Sequence, residues 1–194
     1  MDCDKDNVDA ARRYYSARLQ GHAERVSLKQ AFVTRDNINS LLNEAGVSGE
    51  IDLLVVDIDG NDYWVWDALE AIEPRVVVIE YNASFGREQA VTIPYQARFD
   101  RMTAHPSGFY HGASLAALEL LGRKKGYGLA GCESNGVNAF FVKHGLIREP
   151  LKELTAYEAF YPHYGRLYRG FSQDEQWKIV SQLPLVEIAS EEDV

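Results

Sequence analysis

Two aspartates two residues apart, Asp57 and Asp59, stand where an apolar run ends and the acidic turn Asp57-Ile58-Asp59-Gly60-Asn61-Asp62 begins. If strand geometry persists through the pair, both side chains project from one face and can share a cation, a substrate hydroxyl or a proton. A carboxylate that directly ends a fully apolar strand is costly unless something satisfies it. That makes Asp57 and Asp59 the leading candidates for chemistry. A structural duty competes, because Asp59 or Asp62 can cap a helix starting near Tyr63, and Asn61 suits turn stabilisation as well as ligand contact. A second apolar run ends in Glu80-Tyr81-Asn82, and a loop holds Tyr110-His111-Gly112-Ala113-Ser114 before a helix. Glu80, Asn82 and His111 are therefore further candidate site residues. The amides at that helix start can meet a polar group, while Ser114 serves equally as its cap.

These residues need a scaffold that brings strand ends together. Ile51 to Val56 is apolar on both faces, the pattern of a central parallel strand covered by helices on both sides. Tyr63 to Ile72 reads as a helix, Pro74 closes the connection, and Arg75 to Tyr81 reads as the next strand, which makes a βαβ unit. Upstream, residues 5 to 20 read as a helix capped by Asp4 or Asp6 and ended by Gly21. Ser27 to Val33 is a candidate strand, and a helix through Ile38, Leu41 and Leu42, capped by Thr34 or Asp36, stops near Gly46. After a loop containing Gly86 and Pro94, Ala113 to Lys125 reads as a helix closed by Gly126. Tyr127 to Cys132 and Ala139 to Val142 then form a hairpin across Glu133-Ser134-Asn135-Gly136. The expected fold is α/β: a mostly parallel, doubly wound sheet with helices on both faces and one reversed edge strand from a C-terminal hairpin. In such sheets ligands bind beyond the carboxyl ends of the strands, which gathers Asp57 to Asp62 with Glu80 to Ser84.

Residues 1–150 form the expected α/β domain. Residues 151–194 are an aromatic-rich extension with one helix, opened by the capping box Ser172-Gln173-Asp174-Glu175 and closed by a frayed acidic end, Glu191-Glu192-Asp193-Val194. Packing of the extension over the sheet is the plain reading, and a substrate lid the sharper one.

Charge and length narrow the partners. With 194 residues, a net charge of -9 and a pI near 5.0, the chain would repel phosphate backbones and anionic headgroups, so neither nucleic acid nor a membrane is expected. No apolar run approaches the roughly 20 residues of a transmembrane helix, and no signal-peptide pattern opens the chain, so a cytoplasmic location is expected. Cys3 and Cys132 lack any C-x-x-C spacing, which argues against a disulfide framework or a zinc site.

Three known patterns bear on the acidic turn. A calcium loop of EF-hand type needs glycine sixth and glutamate twelfth between helices, whereas Gly60 is fourth and follows a strand, so it is set aside. The apolar strand ending in Asp57-Ile58-Asp59-Gly60 resembles the opening motif of haloacid-dehalogenase-type phosphatases. There the first aspartate is the nucleophile and the second the acid/base, although the aspartates after Asp67, namely Asp100, Asp174 and Asp193, include no pair of the kind that holds magnesium. More of the chain, from roughly Asp2 to Val142, resembles the FkbM-like branch of the S-adenosylmethionine-dependent methyltransferases. The carriers are Asp2-Cys3-Asp4, Ile51 to Asp62, Val76-Val77-Val78-Ile79-Glu80-Tyr81-Asn82 and Gly136-Val137-Asn138-Ala139-Phe140-Phe141-Val142.

That resemblance implies a class I, Rossmann-like sheet ending in the reversed hairpin, with S-adenosylmethionine as cofactor and a small-molecule acceptor. Asp2 or Asp4 would bind the cofactor's ribose hydroxyls, Asp57 and Asp59 would lie between donor and acceptor, and Asp59 would be the base for a hydroxyl acceptor. No residue is assigned to a metal, and the need for one stays open. The family's first strand and glycine-rich loop, which belong ahead of Asp2, are missing. A fragment, a chain without catalysis, and a sheet completed by a second copy or another polypeptide are the readings that follow. In a monomer the Ser27 to Val33 strand would either pair with Ile51 to Val56 or leave a gap beside it. A binding module that keeps the crevice without turnover is the reading from a different class.

Overall fold

A computed structural model describes residues 1–19 and 21–189, Ala23 by its backbone alone. The elements run α1 (Lys5–Arg18), α2 (Ile38–Glu44), β1 (Gly49–Val56), α3 (Asp62–Ala68), β2 (Ile72–Glu80), β3 (Val91–Thr92), α4 (Arg101–Ala104), α5 (Leu115–Lys124), β4 (Tyr127–Cys132), β5 (Asn138–Lys143), α6 (Ala156–Ala159), α7 (Tyr164–Tyr168), α8 (Gln173–Val180) and β6 (Val186–Glu187). The expected acidic end, residues 191–194, lies outside the described residues.

The main sheet has the order β1-β2-β5-β4. β1 and β2 pair in parallel across α3, with Leu54 opposite Val77 and Val56 opposite Ile79. β5 then returns antiparallel to β2, and β4 antiparallel to β5. The α/β class and a reversed hairpin strand are as the sequence predicts, but that strand, β5, lies between β2 and β4 rather than at the expected edge, and the sheet is mixed rather than mostly parallel, with one parallel pair and two antiparallel pairs. The reason lies beside β1. Ser27 to Val33 forms no strand; it contributes only an isolated parallel bridge from Gln30 to Asp2, closed by the Asp2 amide on the Lys29 carbonyl at 3.2 Å and the Ala31 amide on the Asp2 carbonyl at 2.9 Å. Among the described residues the far edge of β1 is therefore unpaired, the gap that was one of the two expected outcomes.

Packing follows from the same register. Val77, Ile79, Leu129 and Phe141 are buried on one face, where Trp66 of α3 lies 5.0 Å from the Phe141 ring centroid. Gly122 of α5 is so close to Phe141 and Trp66 that a Cβ there would collide with Phe141, so glycine is what lets α5 seat on the sheet. Leu53 and Val55 point to the opposite face at 53% and 58% exposure. The expectation of a central β1 covered on both faces is corrected: it is an edge strand covered on one. α1, capped by the Asp4 side chain on the amides of Asp6 and Asn7, buries only Val8.

α3 stops well short of Ile72 because its last carbonyls are claimed from outside. The Lys125 ammonium donates to the carbonyls of Asp67 and Leu69, and the Asn39 amide donates to Ala68 while its oxygen accepts from the Glu70 and Ala71 amides. Ile72 is then free to begin β2, with Pro74 inside the strand where β5 does not reach. The cap of α2 is also corrected: Asn37 occupies the position, without a side-chain bond to the helix, and not Thr34 or Asp36.

The extension packs over the carboxyl end of the sheet. α6 and α8 each open with a complete capping box, at Thr155 with Glu158 and at Ser172 with Glu175. The sequence reading found only the latter. Tyr81 donates its hydroxyl to the Tyr161 carbonyl at 2.7 Å. β6 pairs with β3, and Val180 joins Phe85, Ile93, Phe99, Phe109 and Tyr110 in a second, smaller core.

Candidate functional site

The acidic turn is held rigidly by its own last residue. The buried Asp62 carboxylate accepts from the amides of Ile58 and Gly60, both at 2.9 Å, so Asp62 clamps the turn while the capping position of α3 falls to Asn61. Burial pushes the Asp62 carboxyl up to about 6, with the two amides pulling the other way. Asp59 takes a left-handed backbone with φ of 55°, a conformation that aspartate tolerates better than most residues. Gly60 lies against the Phe99 ring, where an added Cβ would come within 2.2 Å. Its carbonyl accepts from the Gly112 amide at 3.0 Å, which ties the turn to the loop carrying His111.

This construction brings Asp57, Asp59 and Glu80 together, with one oxygen from each within 4.8 Å of the others. Asp57 and Asp59 lie at the exposed rim, whereas Glu80 is only 9% exposed. Protein crowding on one side and the neighbouring Asp59 raise the Asp57 carboxyl above its ordinary value. Burial, then the carboxylates of Asp62, Asp57 and Asp59, push Glu80 up to about 8. Arg101 of α4 forms an ion pair with Asp59. The buried Glu80 Oε2 has no hydrogen-bond partner, and the same holds for Asn61 Oδ1, while the Asn61 Nδ2 donates to the Gln96 carbonyl.

Asn82 and His111 do not join this cluster by direct bonds. Asn82 is spent on structure: its Nδ2 donates to the carbonyls of Phe109 and His111 at 2.6 and 2.8 Å, and its Oδ1 accepts from the Ser84 amide and the Arg166 guanidinium. His111 is buried against Arg166, with Nε2 2.9 Å from the guanidinium. Burial, with Arg166, Arg101 and His163 nearby, holds its pKa well below the usual value, so the ring is neutral and its Nε2 is placed to accept. Ser114 is the cap of α5, on the Ala117 amide, and also accepts from the Val91 amide.

The cofactor candidates meet the acidic turn across the gap beside β1. A cleft of about 250 Å³ is lined by Asp2, Asp4, Asn7 and Phe32 on one side and by Asp57 and Asp59 on the other. Asp2 spends one oxygen on the Asp4 amide at 2.7 Å and the other on the Asn7 side chain at 3.1 Å. The Asp4 Oδ1 is committed to capping α1.

Two residues here were not foreseen from the sequence. Arg166 comes from α7 in the extension, is buried, and donates to Asn82, Ser84 and His111 with its carbon 5.1 Å from the Phe109 centroid. Burial and the nearby Arg101 lower its pKa to about 10. Arg101 follows Asp100, a residue whose capping of α4 through the Met102 and Thr103 amides is a legible signal; nothing in local spacing announces Arg166. No protein-family model, no curated protein and no solved structure matches the chain.

Proposed function

We propose that this chain is a methyltransferase-like domain that binds the adenosine part of S-adenosylmethionine in the cleft between Asp2 and the acidic turn, and presents a hydroxyl acceptor to Asp57. The observation that carries the reading is the convergence of Asp2, Asn7, Asp57 and Asp59 on one cleft from two segments 50 or more residues apart in the chain. The Asp2 carboxylate offers acceptor oxygens suited to ribose hydroxyls, and the reversed β5 beside β2 agrees with the FkbM-like resemblance. Methyl transfer from a sulfonium asks for an in-line approach and a base within reach of the acceptor proton. Asp59, the base suggested by the resemblance, is engaged by Arg101, whereas Asp57 has no hydrogen-bond donor among the described residues. The proton-accepting role is therefore given to Asp57.

Amide chemical-shift mapping with S-adenosylhomocysteine tests this placement. Shifts centred on Asp2 to Asn7, Phe32 and Ile58 to Gly60 are the expected result; shifts confined to the extension, or none, refute it. A phosphatase reading draws on one specific observation, the grouping of Asp57 with Asp59 and Glu80. It predicts release of phosphate from p-nitrophenyl phosphate that chelator and Asp57→Asn both abolish, and the methyltransferase reading predicts none.

A further inference from the structure

We infer that Asp57, Asp59 and Glu80 form a binding site for a hard divalent cation of the magnesium, manganese or calcium class. The carboxylates come from two neighbouring strand ends, and one oxygen of each lies within 4.8 Å of the others. Oxygens bound to such an ion at about 2.1 to 2.5 Å are separated by no more than roughly 4 to 5 Å, so the trio is already near ligating distance. All-oxygen carboxylate sets favour these ions over zinc or copper.

Proximity of acids alone would not carry this. The independent observation is Glu80 Oε2, an oxygen on a side chain with 9% exposure and no donor among the described residues. Buried polar atoms in proteins nearly always have a partner. Arg101 does not supply it, because its guanidinium bonds Asp59 at the rim. Arg166, the nearby buried cation, is directed to Asn82, Ser84 and His111 instead. The turn is also preorganised for a ligand: Asp62 fixes the Ile58 and Gly60 amides, and Gly60 is wedged against Phe99. The ion would enter from the cleft, with Asp57 and Asp59 completing its shell at the rim and water or an acceptor oxygen filling the remaining positions.

Manganese titration of the purified chain at pH 7.5, read by electron paramagnetic resonance, tests the site without any adenosine cofactor. A chain that ignores S-adenosylhomocysteine would still hold the ion, so the two readings fail separately. One saturable site is expected, competed by magnesium or calcium, with affinity falling at least tenfold in both Glu80→Gln and Asp57→Asn. Asp52→Asn, an exposed acid elsewhere on β1, should leave it unchanged. Arg101→Gln should bind as tightly or more so, since it releases Asp59. Circular dichroism melts confirm that each variant is folded. Absence of a saturable site up to about 10 mM, beyond the weakest protein calcium sites at about 1 mM, overturns the proposal, as does binding that Glu80→Gln and Asp57→Asn leave intact.

Discussion

Glu80 shows how a single side chain can report on the site. Its carboxyl is raised from an ordinary 4.5 to about 8, first by burial and then by the neighbouring acids. The folded-state value lies above the unfolded one, so the stabilising proton is fully in place below about 4.5 and stability falls as pH rises toward about 8. With chelator present, Glu80→Gln should remove that decline and raise stability at pH 8 by on the order of a few kcal/mol. Urea unfolding at pH 5 and pH 8 checks it, and an unchanged pH slope would contradict the assignment. Arg166 works in the opposite sense. Arg166→Ala would strip a donor from Asn82, Ser84 and His111 in a buried setting, at a cost of about 3 kcal/mol or more. Urea unfolding at pH 7 measures that loss, and one below about 1 kcal/mol would show that the network is dispensable. The acidic turn was legible from residue type because an aspartate pair ending an apolar run is conspicuous. Arg166 was not, because its partners lie more than 50 residues away and only the packing of the extension brings them together.

Among the elements, β1 departs most from expectation. Its run of residues apolar on both faces reads as a central strand. What a one-dimensional pattern cannot encode is whether both neighbours are present. Leu53 and Val55 consequently stand exposed on an unpaired strand edge, a geometry that invites strand-to-strand association. Val55→Lys should change unfolding free energy by less than about 0.5 kcal/mol, since the side chain is mostly in solvent. It should also suppress concentration-dependent light scattering. Equal scattering in the two proteins would place the association elsewhere. The helix starts fared better: Ser114 and Ser172, and Asp4 of the two candidates Asp4 and Asp6, each make a side-chain bond to the helix amides. α6 and α7 were missed because each is only about one turn long, too short for a periodic pattern to register even though Tyr164 and Tyr168 of α7 stack at i,i+4 spacing.

At the scale of the whole molecule, a parallel β1-β2 pair and a reversed hairpin set two acidic strand ends beside a cleft, and the aromatic extension roofs the adjoining loops. Among the described residues no helix is long and apolar enough to cross a membrane. The extension was expected either to pack on the sheet or to act as a lid. Its hydrogen bonds from Tyr81 to Tyr161 and from Ser84 to Gln176, and its share of the second core, fit the packing role. The central claim is that the cleft joining Asp2 to the acidic turn accepts the adenosine cofactor. Calorimetric titration of the chain with S-adenosylhomocysteine, beside Asp2→Ala, tests it most directly. The account predicts micromolar binding that Asp2→Ala weakens at least tenfold; no detectable heat of binding, or equal affinity in the variant, would contradict it.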